Sequence, residues 1–203
     1  MAACTFGITY DYLCPFARNA NEHIVEGLRG GADWDVQFVA YSQAQGAAAA
    51  DGVGVWDGPD PLAASGVLAL AAGLMVREHQ PGHFLDAHTA LFAARHDEAL
   101  DIRQRDVIAD VLTRQDVDVA DVFARIDGGE ALALLRKEHE WAVDAHDVWG
   151  VPTFMAGGRA VFVRLLSRPE GNPGRARFEI ERIVDLVANV SSIHEFKQTD
   201  LPD

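Results

Sequence analysis

Asp11-Tyr12-Leu13-Cys14-Pro15-Phe16-Ala17-Arg18 is the stretch on which the fold of this chain turns. Before and into it, Phe6-Gly7-Ile8-Thr9-Tyr10-Asp11-Tyr12 is rich in β-branched and aromatic residues and reads as a strand. After it, Phe16, Ala20, Ile24 and Leu28 (or Val25) recur at helical spacing until Gly30-Gly31, a pair that stops a helix. Proline is favoured as the first helical residue, because the N–H it lacks would be unpaired there anyway. Cys14 is therefore expected at the N-cap, where free amides and the positive end of the helix dipole stabilise an anion. A thiol in that place is expected to have a lowered pKa. Arg18, one turn on, could assist, and an unpaired Asp11 would oppose the shift.

Working outward, Asp33 to Tyr41 alternates and is expected to form a second strand, whereas Gln43 to Pro61 reads as a loop with one short turn of helix. Gly52-Val53-Gly54-Val55-Trp56-Asp57-Gly58 lies in that loop; its spacing is not that of a dinucleotide-binding turn. From Leu62 to Trp149 the pattern is helical. The expected segments are Leu62–Gln80, His83–Arg95, Arg103–Arg114, a helix opening at Asp118 and stopping at Gly128-Gly129, and Glu130–Trp149 ended by Gly150. Val151 to Ala156 is then a strand, Gly157-Gly158 a hairpin turn, and Ala160 to Leu166 its partner. Pro169 to Gly174 reads as a loop, Arg177 to Val190 as a closing helix and Ser191 to Asp203 as a polar tail. The expected class is α/β: a mixed sheet built as β-α-β and then β-β-α, with a large all-helical insertion between the second and third strands. In domain terms, residues 1–61 and 150–190 form one discontinuous unit, 62–149 the helical insertion and 191–203 the tail.

The 203 residues carry 17 Lys and Arg against 31 Asp and Glu, a formal net charge of -14 that disfavours nucleic acid and acidic membranes as partners. No apolar run reaches the ~18 residues that span a bilayer. Met1 to Phe6 has no basic region ahead of an apolar stretch, so no export signal and a cytoplasmic location are expected. Two cysteines exclude a disulfide framework. Cys4 and Cys14 flank an extended strand that holds them beyond the ~7 Å limit for a bridge, so Cys4 reads as a small apolar residue at the strand entrance. His79, His83 and His88 are split by Pro81-Gly82, and His139 with His146 reads as solvent-facing helix polarity; no metal site is expected.

Three features coincide: Asp11-Tyr12-Leu13-Cys14-Pro15-Phe16 closing the first strand, an all-helical insertion after the second, and Gly150-Val151-Pro152-Thr153-Phe154 opening the third. Together they resemble the DsbA-like branch of the thioredoxin superfamily. The likeness is to FrnE-type proteins and, beyond them, to 2-hydroxychromene-2-carboxylate isomerases and kappa-class glutathione transferases, and it extends over residues 5–190. The resemblance implies a thioredoxin-like fold, a cis Pro152 beside the redox cysteine, and a Val151 backbone that pairs with an extended thiol ligand. It implies Cys14 as the catalytic residue, with Asp11, Pro15, Phe16, Ala17, Arg18, Val151, Pro152 and Thr153 around it. Relatives often dimerise, which makes a homodimer an expectation here.

One departure matters. Redox members usually carry Cys-Pro-x-Cys, and here the fourth position is Ala17. Without a second thiol, a mixed disulfide on Cys14 can be released only by an outside thiol. Three readings stay open. The first is a thiol–disulfide oxidoreductase working through Cys14 alone, with glutathione or another small thiol as co-substrate and no bound cofactor. The second is a thiol-dependent transferase or isomerase acting on an aromatic substrate, in a pocket between sheet and helical block lined by Trp56, Phe84 or Trp149. The third is a redox-inactive relative.

Overall fold

The computed structural model describes residues 4–193 apart from 51 and 53. Four strands, β1 (Cys4–Tyr10), β2 (Trp34–Ala40), β3 (Thr153–Ala156) and β4 (Arg159–Phe162), form one sheet in the order β2-β1-β3-β4. β1 and β2 are parallel, in register from Cys4↔Trp34 to Tyr10↔Ala40. β3 runs antiparallel to β1 (Gly7↔Met155, Ile8↔Phe154), and β4 antiparallel to β3. The sheet is therefore mixed, in the β-α-β then β-β-α order read from the sequence. Gly157 and Gly158 both take positive φ, 59° and 75°, as the tight β3–β4 hairpin requires.

α1 (Pro15–Arg29) joins β1 to β2, and α2 (Gln43–Ala50) follows β2. Then come α3 (Val67–His79), α4 (Phe84–His96), α5 (Arg105–Thr113), α6 (Val119–Asp127) and α7 (Glu130–His146), the helical insertion between β2 and β3. α8 (Pro173–Asn189) closes the fold against α1 and β3. α3 is buried on every side from Val67 to Val76, which is why its sequence is apolar without a polar face. The outer edge of β2 would otherwise leave backbone groups open. Arg77 of α3 donates to the carbonyl of Phe38, Glu138 of α7 accepts from the N–H of Ala40 (2.8 Å), and the two side chains pair with each other.

Several boundaries depart from the sequence reading, each for a local reason. The first strand ends at Tyr10, because Asp11 to Leu13 turn back to receive the N–H of Cys14. Residues 43–50 form an eight-residue helix where a loop with one short turn of helix is expected; the run Ala47 to Ala50 has high helix propensity. Two single 3₁₀ turns, Val55–Asp57 and Pro61–Ala63, precede α3, which begins at Val67 behind the left-handed Gly66 (φ 82°). α7 stops at His146 because Asp147 takes φ 52° and Val148 N–H reaches back to the carbonyl of Ala142, so Gly150 is not its terminator. The third strand begins at Thr153 and the fourth spans Arg159–Phe162, both shorter than expected. α8 begins at Pro173, with the Asn172 side chain accepting from Arg175 N–H (3.0 Å); Asn-Pro is a helix start that the reading of 169–174 as a loop overlooked. Of the expected tail, 194–203 lies outside the described residues.

The insertion is locked to the Cys14 loop by buried polar groups. Asn21 Nδ2 donates to the carbonyl of Ala17 (2.7 Å), which turns Asn21 Oδ1 toward His88 Nε2 (3.0 Å). His88 Nε2 must therefore carry the proton, and Nδ1 accepts from the Tyr12 hydroxyl (2.9 Å). Burial holds the His88 imidazole neutral, its pKa pushed down to about 3. Tyr12 in turn lies close against α3 at Gly73, where an added Cβ would meet Tyr12 Oη at 2.3 Å. Gly73→Ala should therefore destabilise the protein by ~1–3 kcal/mol in chemical denaturation through overpacking, outweighing the gain in helix propensity. Tyr12→Phe, which removes the clashing oxygen, should recover part of that loss in the double variant; strict additivity of the two losses would refute the contact.

Candidate active site

Cys14 is the N-cap of α1, with φ −91° and ψ 117°, and Pro15 is the first helical residue. Its Sγ accepts from the N–H of Ala17 at 3.5 Å. On its other side the S–H donates to the carbonyl of Val151 at 3.4 Å, across 137 residues of sequence. The Val151–Pro152 peptide bond is cis. This turn is held from three directions: Thr153 N–H donates to Thr9 Oγ1 of β1 (2.9 Å), Thr153 Oγ1 donates to the carbonyl of Gly150 (2.8 Å), and Val163 N–H donates to the carbonyl of Pro152 (3.1 Å). Thus Cys14, Pro15, Ala17, Val151, Pro152 and Thr153 come together, although the whole helical insertion separates the two segments in the chain.

Asp11 is fully buried beneath this loop. Its carboxylate accepts from Leu13 N–H and from Gln43 N–H, each at 2.9 Å, while its carbonyl accepts from Cys14 N–H (3.0 Å). One side chain thereby ties the cysteine turn to the first residue of α2. Burial pushes the carboxyl up to about 6, against the pull of the two backbone donors.

The state of the sulfur differs from the sequence expectation. Cys14 is only 6% exposed, and burial pushes its thiol above the ordinary cysteine value. The N–H groups of Ala17 and Phe16 pull the other way, Asp11 adds to the rise and Arg164 opposes it, but loss of solvent is the largest effect. The helix N-terminus alone therefore does not make a resting thiolate here. The contact with Val151 agrees, since a carbonyl oxygen accepts from a protonated sulfur and repels an ionised one.

Arg18 does not assist Cys14 either. Its guanidinium is turned to Glu22 (2.8 Å) and Asp97 (2.6 Å), in a cluster that Arg168 joins, because α4 ends with Asp97 beside α1. The cation that acts on the sulfur is Arg164, which follows β4 and which the sequence did not single out. Phe16, on the apolar face of α1 read from the spacing, is half-buried and packs at the margin of the core, with the Arg164 guanidinium 5.2 Å from its ring centre.

The three aromatic residues expected to line one pocket lie apart. Phe84 is in the core against Phe38 and His88, Trp56 packs edge-on to His139, and Trp149 is 72% exposed and tilted against Phe162. A cavity of about 750 Å³ lies elsewhere, between α1, α4 and the loop at 168–171, and does not include Cys14. His139 is not solvent-facing: it is buried against Tyr41 (4.4 Å between ring centres) and accepts from Ser42 N–H, and burial lowers its pKa to about 4. Cys4 stands at the far end of β1, and both cysteines are free.

A model of the DSBA-like thioredoxin domain matches residues 7–166. The chain belongs to this family. Solved structures of DSBA-like folds superpose on nearly all of it. The isomerase described as 2-hydroxychromene-2-carboxylate isomerase aligns at a TM-score of 0.64 and 15% identity, covering 93% of this chain and 100% of that one. The cytosolic disulfide reductase DsbM of Pseudomonas aeruginosa, solved with GSH, aligns at 0.61 and 18%, covering 90% and 100%. Oxidised BdbD of Bacillus subtilis aligns at 0.57 and 16%, covering 89% and 87%. No curated protein matches the chain at the sequence level. At these identities the DSBA-like likeness is one of fold. Among the described residues no helix is long and apolar enough to cross a membrane, and no cluster of three metal-binding side chains occurs.

The buried carboxyl of Asp11 has a measurable signature. Its folded pKa lies above the ordinary 3.8, so its contribution to stability is fully present below pH 3.8 and is lost as pH rises through about 6. Wild-type stability, taken relative to Asp11→Asn at each pH, should therefore rise by up to ~3 kcal/mol between pH 7 and pH 4 in urea titrations. A difference that stays flat over that range would show that Asp11 is not a strained buried acid.

Proposed function

We propose that this protein is a monothiol thiol–disulfide exchange enzyme of the DSBA-like family, working in a reducing compartment with Cys14 as nucleophile and a low-molecular-weight thiol as co-substrate. The observation that carries the reading is the sulfur of Cys14 at the α1 N-cap facing the Val151–Pro152 turn, with the methyl of Ala17 where a dithiol enzyme has its second sulfur. That methyl is fully buried, so no other thiol reaches the position from within the chain.

The chemistry then has two balanced steps. The Cys14 thiolate attacks one sulfur of a small disulfide RS–SR, forming Cys14–S–S–R and releasing RS⁻. A second small thiol R′SH, as its thiolate, attacks the R sulfur of the adduct, giving R′S–SR and returning Cys14. Ala17 N–H stabilises the sulfur whenever it carries negative charge, as attacking or as leaving group. A raised thiol pKa lowers the thiolate fraction at neutral pH but increases the nucleophilicity of each thiolate, so the exchange is expected to accelerate as pH rises.

A second reading has its own support. A sulfur that stays protonated and donates a hydrogen bond, as Cys14 does to Val151, could steady a bound thiol in the way a serine hydroxyl would. That is the requirement of a thiol-dependent isomerase or transferase, and one of the structural neighbours is an isomerase.

Incubation with glutathione disulfide followed by intact mass spectrometry separates the two. The exchange reading expects one glutathione added at Cys14, none in Cys14→Ser, and release of the adduct only after an external thiol is supplied. Modification of Cys4 with Cys14 untouched would overturn it, and thiol-dependent turnover of an aromatic electrophile that survives Cys14→Ser would establish the second reading. Ala17→Cys should convert the protein into a dithiol enzyme: its adduct should discharge without added thiol, leaving a disulfide between Cys14 and the introduced sulfur.

A further inference from the structure

Beside Cys14 and the Val151–Pro152 turn lies a group of side chains that the exchange chemistry does not use. The Arg164 guanidinium stands 5.2 Å from the ring centre of Phe16 and 5.9 Å from that of Phe162, and Phe162 lies tilted against Trp149 with ring centres 4.6 Å apart. Phe16 is the second residue after Cys14, Trp149 the second before Val151, and Phe162 also lies against Gly150. The aromatic group therefore borders both segments that make the site.

Two properties of Arg164 bear on the role of this group. The acid-rich chain gives most of its arginines a carboxylate: Arg18, Arg77, Arg105 and Arg168 are all in ion pairs. Among the described residues Arg164 has neither an ion pair nor a hydrogen bond, and it is exposed. Its aromatic contacts engage the face of the guanidinium, whereas its five N–H donors lie in the plane, have no partner among the described residues, and suit a planar, two-oxygen acceptor. No other arginine or lysine of the described residues lies on these rings, so the site offers a single positive charge, suited to a carboxylate. Trp149, at 72% exposure, adds an open aromatic face next to that charge.

We propose that Arg164 is a specificity-determining residue that receives a carboxylate of the small thiol or disulfide reacting at Cys14, with Trp149 and Phe162 covering the apolar part of that molecule. The proposal rests on Cys14 as the reacting thiol and adds the chemical class of its partner: carboxylate-bearing small thiols, in preference to neutral or cationic ones. Arg182 supplies an internal control. It lies over Phe178 at 5.4 Å on α8, likewise without an ion pair among the described residues, but belongs to a different part of the fold.

The test uses the full chain with Cys4→Ser, so that Cys14 alone reports. Its rate of reaction is measured with dithiobis-nitrobenzoate, which carries carboxylates, and with dithiodipyridine, which is aromatic and neutral. Each rate is divided by that of a free cysteine derivative. Arg164→Gln should lower the first normalised rate about five- to tenfold and change the second by less than twofold, while Arg182→Gln should alter neither. An Arg164→Gln effect that is equal on both reagents, or absent, would overturn the proposal while leaving the exchange reading intact. If Cys14 reacts with neither reagent, the exchange reading fails, and calorimetric titration with S-methylglutathione and its dimethyl ester decides on Arg164. Acid binding at least fivefold tighter than ester binding, lost in Arg164→Gln, supports the carboxylate site; equal binding, or none, removes it.

Discussion

The antiparallel pairing of β1 with β3 is the constraint on which the site depends. Two register points, Gly7↔Met155 and Ile8↔Phe154, and the bond from Thr153 N–H to Thr9 Oγ1 set the start of β3 beside the end of β1. Cys14 leaves the end of one strand and Val151 enters the start of the other. Sulfur and carbonyl oxygen therefore meet at 3.4 Å although 137 residues lie between them. Backbone hydrogen bonds of a sheet are short and directional, so a register error of one residue would turn Thr153 away from Thr9 and separate the pair.

Burial then shifts several titratable groups of the fold. It raises the Cys14 thiol and the Asp11 carboxyl and lowers His88 and His139. In each case loss of water outweighs the local donors and charges, including the two amides aimed at Cys14. Around the cysteine loop, several buried polar groups have defined partners: Tyr12, His88 and Asn21 in one chain of bonds, Asp11 by two backbone donors. Such networks cost stability if any member is removed, and they make the helical insertion a support for the loop that presents the cysteine.

Much of the fold was legible along the chain because its signals are local. Strand alternation in 33–41, the Pro15 start and Gly30-Gly31 stop of α1, the Asp118 cap and the Gly157-Gly158 turn all depend on residues a few positions apart. The errors were local too, where a weak signal competed with a stronger one: alanines in a Gly-rich stretch became α2, and an asparagine before proline began α8 four residues early. The candidate site was legible in its two segments, 11–18 and 150–154. Arg164 carried no signal, since an arginine after a strand has no periodicity or cap to mark it, and Arg18 looked plausible only because sequence distance was the sole measure of proximity.

Local chemistry in the chain was enough to say that Cys14 would cap a helix that opens with proline, that no second thiol would follow it at position 17, and that a mixed sheet would carry a helical insertion. Those facts concern neighbours in sequence, and steric and hydrogen-bonding preferences enforce them wherever the segment sits. Folding in three dimensions determined the rest: that the sulfur is covered and its thiol pKa raised, that the Val151 carbonyl accepts its hydrogen bond, that Arg18 is taken by Glu22 and Asp97, and that Arg164, without an ion pair among the described residues, stands over Phe16. Solvation and charge act through space, so the pKa of a thiol and the partner of a guanidinium depend on which distant segments are packed around them.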